Sequence, residues 1–254
     1  MVFVAASDSG VSRYIPYFNA NMDHTVFCRL PGLLFLTIGI LLTTTSCQRP
    51  GGGDYFEGEI EYQIIYKTRD PNFSLTELAR LQGNRMVMTF KEGDFVQEYF
   101  NSQGRSVRKS IRLKDEHRYY LQFPDLDTTY FTDTRYSGHE TTFTLLGSQR
   151  ILGYPCREVH SVAIPKAEYP HFERIDTRFF IATDLAIDPA WYANYRDGGF
   201  DHLAELLPGC MLAILKTNDL YDMEIIATEV RPGRVDKKIF TVDRDKVFLD
   251  ALAR

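Results

Sequence analysis

The stretch Phe56-Glu57-Gly58-Glu59-Ile60-Glu61-Tyr62-Gln63-Ile64-Ile65-Tyr66 decides the fold. Phe56, Gly58, Ile60, Tyr62, Ile64 and Tyr66 fall on one face of an extended chain, and Glu57, Glu59, Glu61 and Gln63 fall on the other. Strand side chains alternate between faces, so this is a long antiparallel strand with one dry and one wet side. The dry side must be covered, either by protein or by a ligand. Ile60, Tyr62, Ile64 and Tyr66 are therefore the candidate ligand-binding side chains.

Downstream, Ser74-Leu75-Thr76-Glu77 is a capping box, with Leu75, Leu78 and Ala79 on one helical face and Gly83 as the stop. It predicts a short helix over 74–82. Short strands follow over 85–91, 95–100, 105–113, 118–123 and 127–132, separated by turn signals such as Glu92-Gly93-Asp94 and Asn101-Ser102-Gln103-Gly104. Further strands are expected over 141–146, 157–164, 178–183, 210–216, 221–230 and 235–242. Asp188-Pro189 supplies an N-cap and a first-position proline for a second short helix over 189–195. The expected fold is mostly β: a single curved antiparallel sheet or half-barrel with two short helices. Those helices are short for so many strands, which leaves concave apolar surface for a ligand. Alternatively, loops near 165–177 and 196–206 fold inward and complete an ordinary core.

The 254 residues are 44% hydrophobic and 25% charged, enough to bury a sizeable core. Fifteen Tyr and eighteen Phe against one Trp suit pleated surfaces. The net charge of −5 supplies no overall basic field, so nucleic acid is not an expected partner. Composition excludes a coiled coil, a collagen, a multi-span membrane protein and a disulfide-dense miniprotein.

The N-terminus reads as an address. Leu33-Leu34-Phe35-Leu36-Thr37-Ile38-Gly39-Ile40-Leu41-Leu42 fits the apolar core of a signal peptide and is short for a membrane span. Arg29 precedes it, and Thr43-Thr44-Thr45-Ser46 leads into Cys47. This arrangement resembles a bacterial lipobox, in which Cys47 becomes the lipidated first residue; Thr44 stands where that pattern prefers Leu. Residues 1–21 precede Met22, which reads as the true start. The domains expected are a signal over 1–46, a flexible Gly-rich tether over 47–54 and one β domain over 55–250. Gln48-Arg49-Pro50 lacks the acidic residues of outward-sorting signals, which favours a periplasm-facing outer-membrane anchor. After processing, Cys156 and Cys210 remain for an oxidising compartment, as a disulfide or as two buried thiols on neighbouring strands.

Chemistry is scarce. No GxSxG, HExxH, P-loop, GxGxxG or EF-hand spacing occurs, and His117, His139, His160, His171 and His202 are scattered. No catalytic residue, metal ligand or cofactor is assigned. Asp243-Arg244-Asp245 and Asp125-Leu126-Asp127 read as acidic turns. Arg105-Ser106-Val107-Arg108-Lys109-Ser110-Ile111-Arg112-Leu113-Lys114 is the one local basic feature, with Arg108, Arg112 and Lys114 on one face. Such a face either pairs with Glu57, Glu59 and Glu61 across strands, the expected arrangement, or touches anionic headgroups. The apolar run Leu206–Leu215 reads as a buried strand; Met211 would also suit a ligand groove, because a thioether adapts to varied shapes.

Three segments carry a family resemblance. Phe56-Glu57-Gly58-Glu59-Ile60-Glu61-Tyr62 resembles the opening strand of exported LolA-like domains and of the related GLPGLI-type proteins. Ile151-Leu152-Gly153-Tyr154-Pro155-Cys156-Arg157-Glu158-Val159 resembles their middle segment. The stretch from Phe179 to Leu212 resembles the segment that names the GLPGLI group; Leu207-Pro208-Gly209 matches its centre, while Leu206 replaces the first Gly and Cys210-Met211 replaces Leu-Ile. Spanning about 55–243, the resemblance implies a curved sheet wrapped partly around helices. The best-understood relatives carry lipids or lipoproteins in the resulting cleft. The expectation is an envelope-anchored, non-catalytic lipoprotein that binds or chaperones a lipid or lipoprotein, with its N-terminal lipid in the membrane. The alternatives are an interaction module that docks an envelope protein partner, or an enzyme acting on a polysaccharide or lipid.

Overall fold

The computed structural model describes residues 54–169 and 174–251. The signal region, Cys47, nearly all of the tether and His171 lie outside the described residues. Strand β1 (Gly58–Thr68) buries Gly58, Ile60, Tyr62 and Ile64 and leaves Glu59, Glu61 and Gln63 on the wetter face, as the alternation demands. Helix α1 (Leu75–Gln82) begins where the capping box places it: Ser74 accepts a hydrogen bond from the Glu77 amide, and Gly83 ends it at a φ of 83°.

The remaining strands are β2 (Arg85–Lys91), β3 (Asp94–Phe100), β4 (Ser106–Leu113), β5 (Arg118–Gln122), β6 (Thr128–Asp133), β7 (His139–Ile151), β8 (Tyr154–Pro165), β9 (Ile175–Ala186), β10 (Gly209–Thr217), β11 (Tyr221–Pro232) and β12 (Val247–Asp250). They form one sheet in the order β12-β6-β5-β4-β3-β2-β1-β11-β10-β9-β8-β7. Only the β12–β6 pair is parallel. β1 is thus a central strand, flanked by β2 and β11, which is why its pattern governs the whole domain.

Topology forces the curvature. β6 and β7 are ten strand spacings apart in the sheet, about 48 Å if it were flat. Yet only residues 134–138 connect them, a reach of about 20 Å from Asp133 to His139. The sheet must curl until its two ends approach one another. It is an open half-barrel, mostly β, with two helices.

Segment 187–207 spans the open side. Asp188 caps a 3₁₀ turn over Pro189–Tyr192 through the Ala190 amide at 2.9 Å, and helix α2 (Phe200–Leu206) follows. Thr134, in the crossover, accepts hydrogen bonds from the Arg196 and Asp197 amides at 2.7 and 3.3 Å. This cover departs from the sequence reading twice. The helix expected over 189–195 is one short turn, and the true helix lies where a loop was expected. Of the two inward-folding loops considered, 196–206 folds over the barrel.

A second departure lies on the outer face. Residues 235–242, expected as a strand, make a strap with a 3₁₀ turn over Lys237–Phe240. Phe240 and Val242 pack on Val96, Ile111 and Tyr120. Buried apolar area there replaces the hydrogen bonds another strand would have formed. Glu57 ties the strap down by accepting from the Val235 amide and pairing with Lys91 at 2.6 Å.

Candidate functional site

Beneath the cover lies a partly enclosed cavity of about 320 Å³. Its floor is Ile60 and Tyr62 of β1, Met86, Met88 and Phe90 of β2, and Phe95 and Gln97 of β3. Its roof comes from the cover, chiefly Tyr192, Tyr195, Phe200, Leu203 and Ala204. Stacking organises the roof, with Tyr192–Tyr195 centroids 6.2 Å apart and Tyr195–Phe200 centroids 5.0 Å apart. Cys210, Met211 and Ile214 of β10 form one wall.

The interior is mostly apolar, and several of its polar atoms are bonded within the protein. The Gln97 Oε1 accepts from the Tyr119 hydroxyl at 3.1 Å and from the Tyr99 hydroxyl at 3.3 Å. The Tyr62 hydroxyl donates to the Met211 carbonyl at 2.8 Å. Burial drives the Tyr62 and Tyr195 phenols well above their ordinary pKa, so both stay neutral. Asp197 stands at the rim, where surrounding protein raises its pKa although the residue still reaches solvent. Liquid water would fill such a volume with roughly ten molecules, each needing two to four polar partners. The lining offers few of them. The space suits an apolar guest, near the lower end of the range of about 300–1,000 Å³ for ligand sites.

The four candidate residues divide. Ile60 and Tyr62 line the cavity, whereas Ile64 and Tyr66 line a separate open groove of about 980 Å³ beside α1. The run 206–215 supplies both core and wall: Leu212 is fully buried, while Leu207, Cys210, Met211 and Ile214 face the cavity. Missed from sequence were Met86 and Met88, whose adaptable side chains were a readable signal, and the roof residues, which local patterning does not reveal.

The basic strand is corrected on its cross-strand pairing. β2 and β3 separate β4 from β1, so Arg108 and Arg112 do not reach the acidic face. Glu57 pairs with Lys91, Glu61 with Arg85 at 3.1 Å, and Arg231 sits 3.4 Å from both Glu59 and Glu61. Nor does Arg112 offer itself to a surface, being 2% exposed. Its guanidinium donates to the Gly93 carbonyl and, at 2.7 Å, to the Trp191 carbonyl. It lies 4.6 Å from the Tyr192 ring and 4.8 Å from the Tyr195 ring. β4 thereby grips the cover by one side chain.

The disulfide expectation is also corrected. Cys156 of β8 and Cys210 of β10 are both free and buried, and both register with Ala182 of the intervening β9. Two strand spacings separate their backbones by about 9–10 Å, beyond the roughly 7 Å limit for a bridge. Burial pushes both thiols above their ordinary pKa, which suppresses the reactive thiolate. C-terminal to Cys47 these are the chain's only cysteines, and Cys28 falls in the signal region expected to be removed by processing. A maleimide should therefore label neither in the native protein and both in denaturant without reductant. A denatured protein that takes up label only after reduction would contradict the geometry.

Among the described residues, no group of three or more His, Cys, Asp or Glu side chains could hold a metal ion. No family model matches the chain, and no curated protein matches it. Among solved structures it is similar to a Vibrio parahaemolyticus domain described as belonging to outer membrane lipoprotein sorting, with 9% identity and a TM-score of 0.32. That match covers 72% of this chain and 89% of the other.

Proposed function

We propose that this domain binds the apolar part of a lipid or other amphiphile under its cover and shields it from water without chemically altering it. One observation carries the reading: a curled sheet, bridged by a separate segment, leaves an apolar space that its own side chains do not fill. Each methylene moved from water into that space contributes about 0.8 kcal/mol. In this reading Cys47 holds the domain at the envelope through its lipid, on the periplasmic side of the outer membrane, so the cavity works close to a lipid source.

Ala204 tests the reading because its methyl faces the cavity from α2 and the residue is 5% exposed. Ala204→Trp should occupy the space and reduce uptake of the neutral dye Nile red at least tenfold. The circular dichroism spectrum should stay unchanged, since the ring enters an existing void. Unchanged dye binding in a folded Ala204→Trp protein would remove the support for a cavity ligand.

A different feature favours the docking-module reading. The β7–β8 hairpin leaves Leu145 and Leu146 exposed midway along β7 and Leu152 exposed at its tip. If docking were the main role, charged residues at these leucines would abolish partner capture and leave dye uptake intact.

A further inference from the structure

The cavity and the open groove adjoin. Tyr62 lines the first and Ile64 the second, two residues further along β1, a rise of about 7 Å. Gln82 lines the groove, and Arg108 and Tyr99, which line neither space, stand beside it. Arg108 lies over the Tyr99 ring, its Cζ 3.7 Å from the centroid, and donates to the Gln82 Oε1 at the end of α1. Burial raises the pKa of Tyr66 on the groove side and Tyr119 on the cavity side, and the Arg108 charge opposes that rise at both. The guanidinium is within electrostatic reach of both compartments.

Three observations make this cation unusual. First, the pairing of β3 with β4 slips between Tyr99 and Phe100, so Val107 is the extra residue of a bulge beside Arg108. Bulges re-aim side chains and gather beside functional sites. Second, the Arg108 Nε is buried without any hydrogen-bond partner. Third, no described carboxylate pairs with Arg108, although the groove's own arginines are paired, Arg80 with Glu77 and Arg105 with Asp125 at 2.8 Å. Arg112, on the same strand, is already committed to two carbonyls of the fold.

We propose that Arg108 is the headgroup site for a single-chain anionic amphiphile whose tail fills the cavity and whose carboxylate or phosphate replaces the Gln82 amide oxygen on the guanidinium. This rests on the cavity-binding reading and adds the ligand's charge and chain number to it. The cavity volume accommodates one chain, and the open groove gives room for whatever the headgroup carries. An ionised acceptor is favoured over the Gln82 amide because it adds charge–charge attraction and can accept two parallel bonds from the guanidinium fork.

The test uses the full-length chain and three probes with one tail: dodecanoate, dodecanol and dodecyltrimethylammonium, each displacing Nile red. Dodecanoate should bind at least tenfold more tightly than the other two, equivalent to 1.4 kcal/mol. Arg108→Gln should abolish that preference and leave dodecanol affinity within about twofold of wild type. Arg108→Lys, which retains charge without the fork, should keep part of it and serves if the Gln variant does not fold. Equal binding of all three probes would overturn the headgroup site and leave the cavity reading standing. Binding of none would overturn both.

Discussion

Gly209→Ala is expected to cost about 3 kcal/mol, the largest effect of any single methyl addition proposed for this protein. Gly209 opens β10 where the chain leaves the cover, beside an irregularity in the pairing with β9. A Cβ built there would lie 2.4 Å from the Ala182 carbonyl oxygen, 2.7 Å from its carbon and 2.9 Å from the Thr183 Cα. All three are backbone atoms of a central pairing, so no rotamer change can relieve the contact. β9 and β10 must part, and the wall built by Cys210 and Met211 must move with them. The melting temperature should fall by roughly 6–12 °C for a domain of this size. Gly233→Ala is the matched control, because a Cβ there meets nothing within 4 Å. Its change should stay within about 0.5 kcal/mol. Equal melting temperatures for the two variants would show that β10 does not enter the sheet as described.

Arg112→Ala is expected to cost about 2–4 kcal/mol and to loosen the cover more than the sheet. The substitution leaves the Gly93 and Trp191 carbonyls without their donor and empties the space beneath the Tyr192 and Tyr195 rings. Burial lowers the pKa of Arg112, so part of the cost of holding the charge is returned when it is removed. The loss is therefore smaller than the contacts alone suggest. Arg112→Met separates the contributions: it restores most of the volume but no donor, and should fall between Ala and wild type. Hydrogen exchange locates the effect. Amides over 188–197 should lose protection in both variants, while those of β1 and β2 change only with global stability. Uniform loss across the sheet would mean that Arg112 supports the core and does not fasten the cover.

Local chemistry wrote much of this fold into the sequence. β1 and β2 begin and end within two residues of where alternation places them, and α1 starts at its capping serine, because these signals act over three or four residues. The apolar face that lines the cavity was legible for the same reason: Ile60 and Tyr62 follow from period two alone. What sits above that face was not. α2 has no side-chain cap, is only seven residues long and packs through Leu203 onto Val159, Phe179 and Ile181, residues more than twenty positions away. Residues 235–242 carry a strand-like composition, yet the outer face of β3 to β5 takes Phe240 and Val242 as plugs instead. The charge pattern of β4 was visible too, but its meaning was not. Whether an arginine meets a glutamate, a membrane or the underside of two tyrosines depends on which strands intervene, and strand order is decided by closure of the whole sheet. Cys156 and Cys210 illustrate the same limit. Their spacing permitted a bridge, and the placement of β9 between them removed it. Sequence alone determined the elements with strong local signals, such as β1, β2 and α1, and the buried side of β1. The tertiary structure decided what covers them, because the curling of twelve strands sets contacts between residues that share no local pattern.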